Sequence, residues 1–150
     1  MSSWVSHLPA DLSTREVIGH GMNATELGAN PRLDRWFIQN LNRDPVLPLS
    51  DAAVDAVLCC VGVQYLTRPL EVFAEVRRIL RPGGRVIVSF SNRCFPMKAV
   101  RLWSALDEAG RASLVATYLE GSGFASIAAY LLADGKAGDP LVVVAGAARG

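Results

Sequence analysis

Few side chains in this sequence have the company that covalent or metal chemistry needs. Cys60 lies next to the end of an apolar run over residues 54–61, broken only by Asp55. A thiol becomes nucleophilic where a base or cation lowers its pKa. No base is arranged near Cys60 in the sequence, so packing is its better reading. His7 and His20 are the two histidines, and neither has a carboxylate or cysteine at ligand spacing, so no metal site is expected. Arg93 could bind a carboxylate or phosphate, or simply stay solvated on its loop. Asn40 can meet an adenine or ribose with an amide that both donates and accepts; its competing role is an Asx-type turn ahead of Pro45. Gly21 and Met22, with His20 beside them, follow a short strand and fall in the crevice where open α/β sheets bind ligands. His20 itself reads as a ligand contact or as a surface or capping histidine. Neither a serine–histidine–acid set nor a phosphate loop is present. The chemistry left to such a chain is binding and positioning.

The elements that must position these residues alternate between short apolar runs and helical patterns, which argues for an α/β domain with a mainly parallel sheet. Residues 16–18 read as a strand closed by Gly19 and Gly21, 24–29 as a brief helix stopped by Asn30-Pro31, and 36–39 as a second strand. The run 54–61 has the continuous apolarity of a strand covered on both faces. Pro69 suits a helix start, and Phe73, Val76 and Leu80 share one face of residues 70–80. Pro82-Gly83-Gly84 stops that helix, and 85–90 is the next buried strand. Helical patterns cover 97–106 and 110–119. Two further strands, 126–132 and 141–145, flank a turn-rich stretch too short for a parallel crossover, so they form an antiparallel hairpin. Arg77, Arg78, Arg81 and Arg85, with Glu71 and Glu75 nearby, read as a solvated face.

Composition narrows the partners. The 150 residues have the length of one domain, 1–150, and 51% of them are hydrophobic, enough for a sizeable core. The net charge of +1 gives no electrostatic reason to expect nucleic acid or an anionic membrane. Cys59, Cys60 and Cys94 are odd in number and form neither a disulfide framework nor a zinc spacing. They indicate a reduced, cytoplasmic protein. No signal peptide is indicated, and the apolar stretch 141–148 falls far short of the ~20 residues that cross a bilayer.

The stretch LPLSDAAVDAVLCCVGVQYLTRPLEVFAEVRRILRPGGRVIVSFSN carries several features in order. They are Leu47 to Asp51, then Asp55-Ala56-Val57 opening a strand, Gln64-Tyr65-Leu66 after it, and the turn Leu80-Arg81-Pro82-Gly83-Gly84. With the terminal hairpin, this resembles the class I S-adenosylmethionine-dependent methyltransferases of the small-molecule, type 11 kind, over residues 17–148. The resemblance implies a three-layer, Rossmann-like α/β sheet with an antiparallel C-terminal hairpin. It also implies methyl transfer from S-adenosylmethionine to a small-molecule acceptor. Methyl transfer from a sulfonium is an in-line displacement that depends mainly on alignment in a dry pocket. A base is required only where the acceptor must lose a proton early, and no catalytic residue is singled out.

By the same resemblance, cofactor contacts fall on Ser3 and Trp4, on Gly21 and Met22, on Asn40 and Leu41, and on Cys60 and Val61. Trp4 reads alternatively as a core anchor. Gln64, Tyr65, Asn92 and Arg93 fall on the acceptor side. Three departures accompany the match. The family's glycine-rich turn corresponds to residues 1–6, which hold no glycine, and the family's central first strand has no counterpart before it. The acidic residue expected after the second strand is replaced at Gly21, and after the third strand the chain has Asn40-Leu41. Two expectations compete: a strand upstream of Met1, or a degenerate module that has lost the cofactor and acts by binding a partner chain. A missing central strand leaves an open edge. It predicts direct pairing of the remaining strands, a homodimer that fills the gap, or poor stability.

Overall fold

The structure, a computed structural model, describes Met1 and residues 8–149. Its strands fall into two sheets. β1 (Ile18–Gly21) and β2 (Arg35–Ile38) pair in parallel, with Ile18 opposite Arg35 and Gly21 opposite Ile38. β3 (Val54–Cys60), β4 (Leu80–Phe90), β5 (Phe124–Ala133) and β6 (Leu141–Ala148) form a second sheet in the order β3-β4-β6-β5. β3 and β4 are parallel, and β6 runs antiparallel to β4 and β5, as the short connection between β5 and β6 requires. The α/β, Rossmann-like expectation therefore holds. Among the described residues no strand pairing joins the two sheets, so the expected direct pairing of the remaining strands is not formed.

The core lies on one face of the larger sheet. Strand residues two apart share a face. Val57 and Cys59 of β3, Val86, Val88 and Phe90 of β4, and Val142 and Val144 of β6 are accordingly all buried together. They pack with Val72, Phe73, Val76 and Ile79 of α2 (Pro69–Ile79), Trp103 of α3 (Arg101–Ser104), and Val115 and Leu119 of α4 (Glu108–Gly121). The Trp103 ring meets Phe90 edge-on, with centroids 4.9 Å apart. On the opposite face Ile87, Ser89, Val143, Ala145 and Ala147 are half-buried.

Local chemistry explains most boundaries and corrects several expectations. α1 (Ala24–Gly28) begins where the Asn23 side chain accepts from the N–H groups of Thr25 and Glu26, at 2.9 and 3.4 Å. β1 does not end at Ile18: it continues through Gly19 and Gly21. Gly19 lets the strand approach Leu33, whose Cδ1 would lie 2.3 Å from an added Cβ. Pro82-Gly83-Gly84 does not form a separate turn that stops α2: the helix already ends at Ile79, and these residues lie inside β4, in a register shift between the pairs Val54–Leu80 and Ala56–Arg85. Gly83 is left-handed there (φ 76°), and a Cβ on Gly84 would meet the Arg81 carbonyl at 2.8 Å.

The helix expected over 97–106 is reduced to Arg101–Ser104. The Val100 N–H donates to the Gln64 carbonyl at 2.9 Å, so it is withdrawn from any helix starting upstream. The solvated arginine face holds at Arg81 and Arg85, which are exposed, and is corrected at Arg77 and Arg78. Arg78 donates to Glu75 (2.8 Å), Asp51 (2.7 Å) and the carbonyls of Leu47 and Leu49 (3.0 and 2.9 Å). Arg77 reaches the Gly123 carbonyl, and Arg81 pairs with Asp55. Arg78 thus fastens the loop that delivers β3.

Candidate functional site at the carboxyl ends of the parallel strands

The parallel strands bring their carboxyl ends to one region, and most of the expected contacts sit there. After β1, Gly21 is half-buried, with Leu27 packed 3.2 Å from where a Cβ would be, and Met22 is exposed. His20 is buried, and its Nε2 lies 2.9 Å from the Gln39 carbonyl. A carbonyl only accepts, so Nε2 carries the proton. Burial pushes the His20 pKa down to about 4, and the ring is neutral at physiological pH.

After β2, Asn40 adopts its competing role: its Oδ1 accepts from the Asn42 N–H at 3.1 Å, an Asx turn. Leu41 is buried in the main core. Asn42, which sequence reasoning passed over as loop, clamps this region to the next. Its Nδ2 donates to the Tyr65 carbonyl and its Oδ1 accepts from the Thr67 N–H, both at 2.9 Å. Nothing in the polar run 40–45 distinguishes Asn42 from its neighbours, because the clamp depends on residues more than twenty positions away.

After β3, Cys60 is buried, while Val61 is partly exposed and left-handed (φ 49°). Its N–H donates to the Ser89 carbonyl of β4 at 2.8 Å. A β-branched residue in this region is an outlier, and such strain costs on the order of 1–3 kcal/mol. The neighbouring Cys59 thiol is pushed up to about 11 by burial and stays protonated. A 3₁₀ turn (Val63–Tyr65) follows. Within it Gln64 is fully buried, and neither polar atom of its amide has a partner among the described residues. The Tyr65 hydroxyl accepts from the Phe95 N–H at 3.0 Å.

After β4, Asn92 and Arg93 are exposed, and Arg93 pairs with Asp139 in the β5–β6 turn at 2.7 Å. The register of Leu131 with Val142, and of Val142 with Phe90, puts Leu131, Leu132 and Leu141 at this same end. With Phe95 and Met97 they form an exposed apolar rim. Ser3 and Trp4 lie outside the described residues. The structure thus gathers Gly21, Met22, Asn40, Cys60, Val61, Gln64, Tyr65, Asn92 and Arg93 at one end, and commits Leu41 to packing. A cavity of about 650 Å³ lies elsewhere. It runs between the two sheets and reaches this end only through His20 and Cys60. Among the described residues no cluster of three or more His, Cys, Asp or Glu could hold a metal, and no helix is long and apolar enough to cross a membrane.

The family model described as a methyltransferase domain matches residues 11–88, more than half of the chain. The chain belongs to the methyltransferase domain family. It is 42% identical over 85 residues to the ubiquinone/menaquinone biosynthesis C-methyltransferase UbiE of Paracoccus denitrificans, covering 56% of this chain and 33% of that protein. It is 33% identical over 61 residues to a malonyl-[acyl-carrier protein] O-methyltransferase of Marinomonas sp., covering 41% and 23%. The chain therefore spans a quarter to a third of the length of these curated relatives. Among solved structures, the putative methyltransferase bound to the Haloferax volcanii activator Trm112 aligns with a TM-score of 0.66 at 16% identity. That alignment covers 90% of this chain and 72% of that one. A possible histamine N-methyltransferase from Thermotoga maritima aligns with a TM-score of 0.63 at 18% identity, covering 88% and 72%. At such identities these likenesses carry the fold alone.

Proposed function

We propose that this methyltransferase domain binds S-adenosylmethionine at the carboxyl ends of β1–β3 and serves transfer of its methyl group to a small molecule held over the end of β4. The observation that carries the reading is Val61, held left-handed where β3 ends. Strain of this kind persists at sites whose geometry is fixed for binding. The residues fit the cofactor in part. Cys60 and Val61 would flank its methionine end, and Gly21 and Met22 would meet the ribose with backbone groups, since no carboxylate ends β1 or β2. Asn40 has its Oδ1 engaged in the turn and would offer the amide nitrogen. When bound, the cofactor supplies an electrophilic methyl group on a sulfonium. On the acceptor side, Gln64, Tyr65, Asn92 and Arg93 are the polar groups. The buried amide of Gln64 leaves a donor and an acceptor for an acceptor's own polar group. The apolar rim of Phe95, Met97 and Leu131 suits an acceptor with an apolar part.

Calorimetric titration of S-adenosylhomocysteine into the purified chain tests this reading directly. Micromolar affinity is expected. Absence of heat at millimolar ligand would defeat the cofactor assignment for these residues. A second reading, a non-catalytic module that associates with a partner chain or with itself, is favoured by the place of β3 at the edge of its sheet among the described residues.

A further inference from the structure

The segments that follow β2, β3 and β4 are joined in a row by hydrogen bonds, and the row ends in the β5–β6 turn. The turn after β2 is built on Asn40. Its side chain holds the Asn42 N–H at 3.1 Å, and its carbonyl accepts from the Arg43 and Asp44 N–H groups, both at 2.9 Å. That turn presents the Asn42 amide to the segment after β3. Nδ2 donates to the Tyr65 carbonyl and Oδ1 accepts from the Thr67 N–H, so both ends of the amide are engaged. A planar amide held at both ends has little rotation left to absorb a shift.

The 3₁₀ turn Val63–Tyr65 carries the loop after β4. Residues 91–100 form neither helix nor strand, and Asn92, Arg93 and residues 95–98 are exposed. With so little of it buried, the loop is placed by hydrogen bonds more than by packing. Two of these come from the same turn. The Tyr65 hydroxyl accepts from the Phe95 N–H at 3.0 Å, and the Gln64 carbonyl accepts from the Val100 N–H at 2.9 Å. The Tyr65 and Phe95 rings lie 6.4 Å apart between centroids, and the Lys98 ammonium sits 5.3 Å from the Phe95 ring. Arg93 passes the connection on to Asp139. The loop after β4 thus hangs from a turn that Asn42 holds.

We propose that Asn42 and Tyr65 are positioning residues through which the turn after β2 sets the loop after β4. A displacement of Asn40 moves Asn42, Asn42 carries Tyr65, and the Tyr65 hydroxyl draws or releases Phe95. The connection stands on these hydrogen bonds. Its use rests on the proposed function, in which Asn40 lies on the cofactor side and Asn92 and Arg93 on the acceptor side. Bound cofactor then orders the loop that receives the acceptor. Linkage requires the reverse as well: an acceptor must tighten the cofactor by the same factor.

Amide hydrogen exchange of the full chain, read residue by residue, tests both levels. In the ligand-free chain Tyr65→Phe removes the hydroxyl and should speed exchange at Phe95 by about tenfold. Asn42→Asp keeps an oxygen for Thr67, turns a second oxygen on the Tyr65 carbonyl, and changes neither partner of the Tyr65–Phe95 bond. It should speed Phe95 by about threefold or more while Val88 and Val144 keep the parent rate; a merely structural loss would speed all three. Asn42→Ala, which adds no charge, should act in the same way. With S-adenosylhomocysteine, exchange at Phe95 should slow by about fivefold or more in the parent and stay unchanged in Asn42→Asp. The proposal is overturned if both Asn42 variants leave Phe95 at the parent rate while Tyr65→Phe speeds it, or if bound S-adenosylhomocysteine leaves Phe95 unchanged. No heat with that ligand, beside an intact ligand-free response, would uphold the connection and defeat the cofactor reading alone.

Discussion

Around β4, each strand finds its complement. β3 covers one flank and β6 the other, and three helices deliver Phe73, Trp103 and Leu119 onto one face. The pair β1–β2 is made of comparable residues but shares none of this. Trp36 and Ile38 are exposed, and the buried side chains nearby are Leu27, Asn30 and the neutral His20. Local preference does not separate the two regions, since both contain short apolar runs ended by polar turns. The difference is cover. An isolated two-stranded sheet is marginal in water, whereas three or more strands with an apolar face support themselves.

The comparison breaks first at Trp103. Trp103→Ala removes the ring that closes the core over Phe90 and should cost about 3–5 kcal/mol, read by urea denaturation. A loss of less than about 1 kcal/mol would show that the larger sheet does not carry the stability assigned to it.

Acid should act on the other region. The His20 pKa lies at about 4 in the folded chain against an ordinary 6.5. Between those values the unfolded chain holds a proton that the folded one refuses. His20's contribution is therefore complete above pH 6.5 and is lost as pH falls towards 4, by on the order of 3 kcal/mol. Amide exchange should show β1 and β2 loosening across this window while β4 and β6 hold. His20→Phe should flatten the dependence; an unchanged profile would remove His20 as its cause.

Arg78→Met tests the hinge between the regions, because Arg78 ties the loop before β3 to α2. It should cost about 2 kcal/mol, the scale of charged hydrogen bonds to carbonyls. It should also be non-additive with Glu75→Gln, and simple additivity would mean the two act separately. The smallest effect expected is a gain. Val61→Gly relieves left-handed strain and should stabilise by about 1 kcal/mol, measured from the denaturation midpoint at constant slope. A loss would show that the Val61 side chain matters more than its backbone.

The region around β4 was readable from sequence because its signals are strong and agree: the run 54–61, apolar but for Asp55, and Pro69 at the start of α2. Asn40's turn was one of two roles its amide allowed. Gly19 and Gly21 misled because a glycine that ends a strand and one that admits Leu33 look alike without the partner. Arg78 misled for a related reason: helical spacing puts it beside Glu75, but its other acceptors, Asp51 and the carbonyls of Leu47 and Leu49, come from a separate loop. Val61's conformation and Gln64's isolated amide were not legible at all. One is imposed by a hydrogen bond to β4, and the other by packing around a turn.

β4 draws its two neighbours from different moments of synthesis. β3 and α2 leave the ribosome just before or with it, so a parallel βαβ unit can assemble at once. Its other flank must wait for β6, which follows only after α3, α4 and β5. During that interval a strand that carries three fully core-facing residues, Val86, Val88 and Phe90, presents a bare edge, the state in which nascent chains aggregate or are held by chaperones. Translation speed through α4 and β5, a property of codons rather than of side chains, thus sets how long the core strand stays at risk.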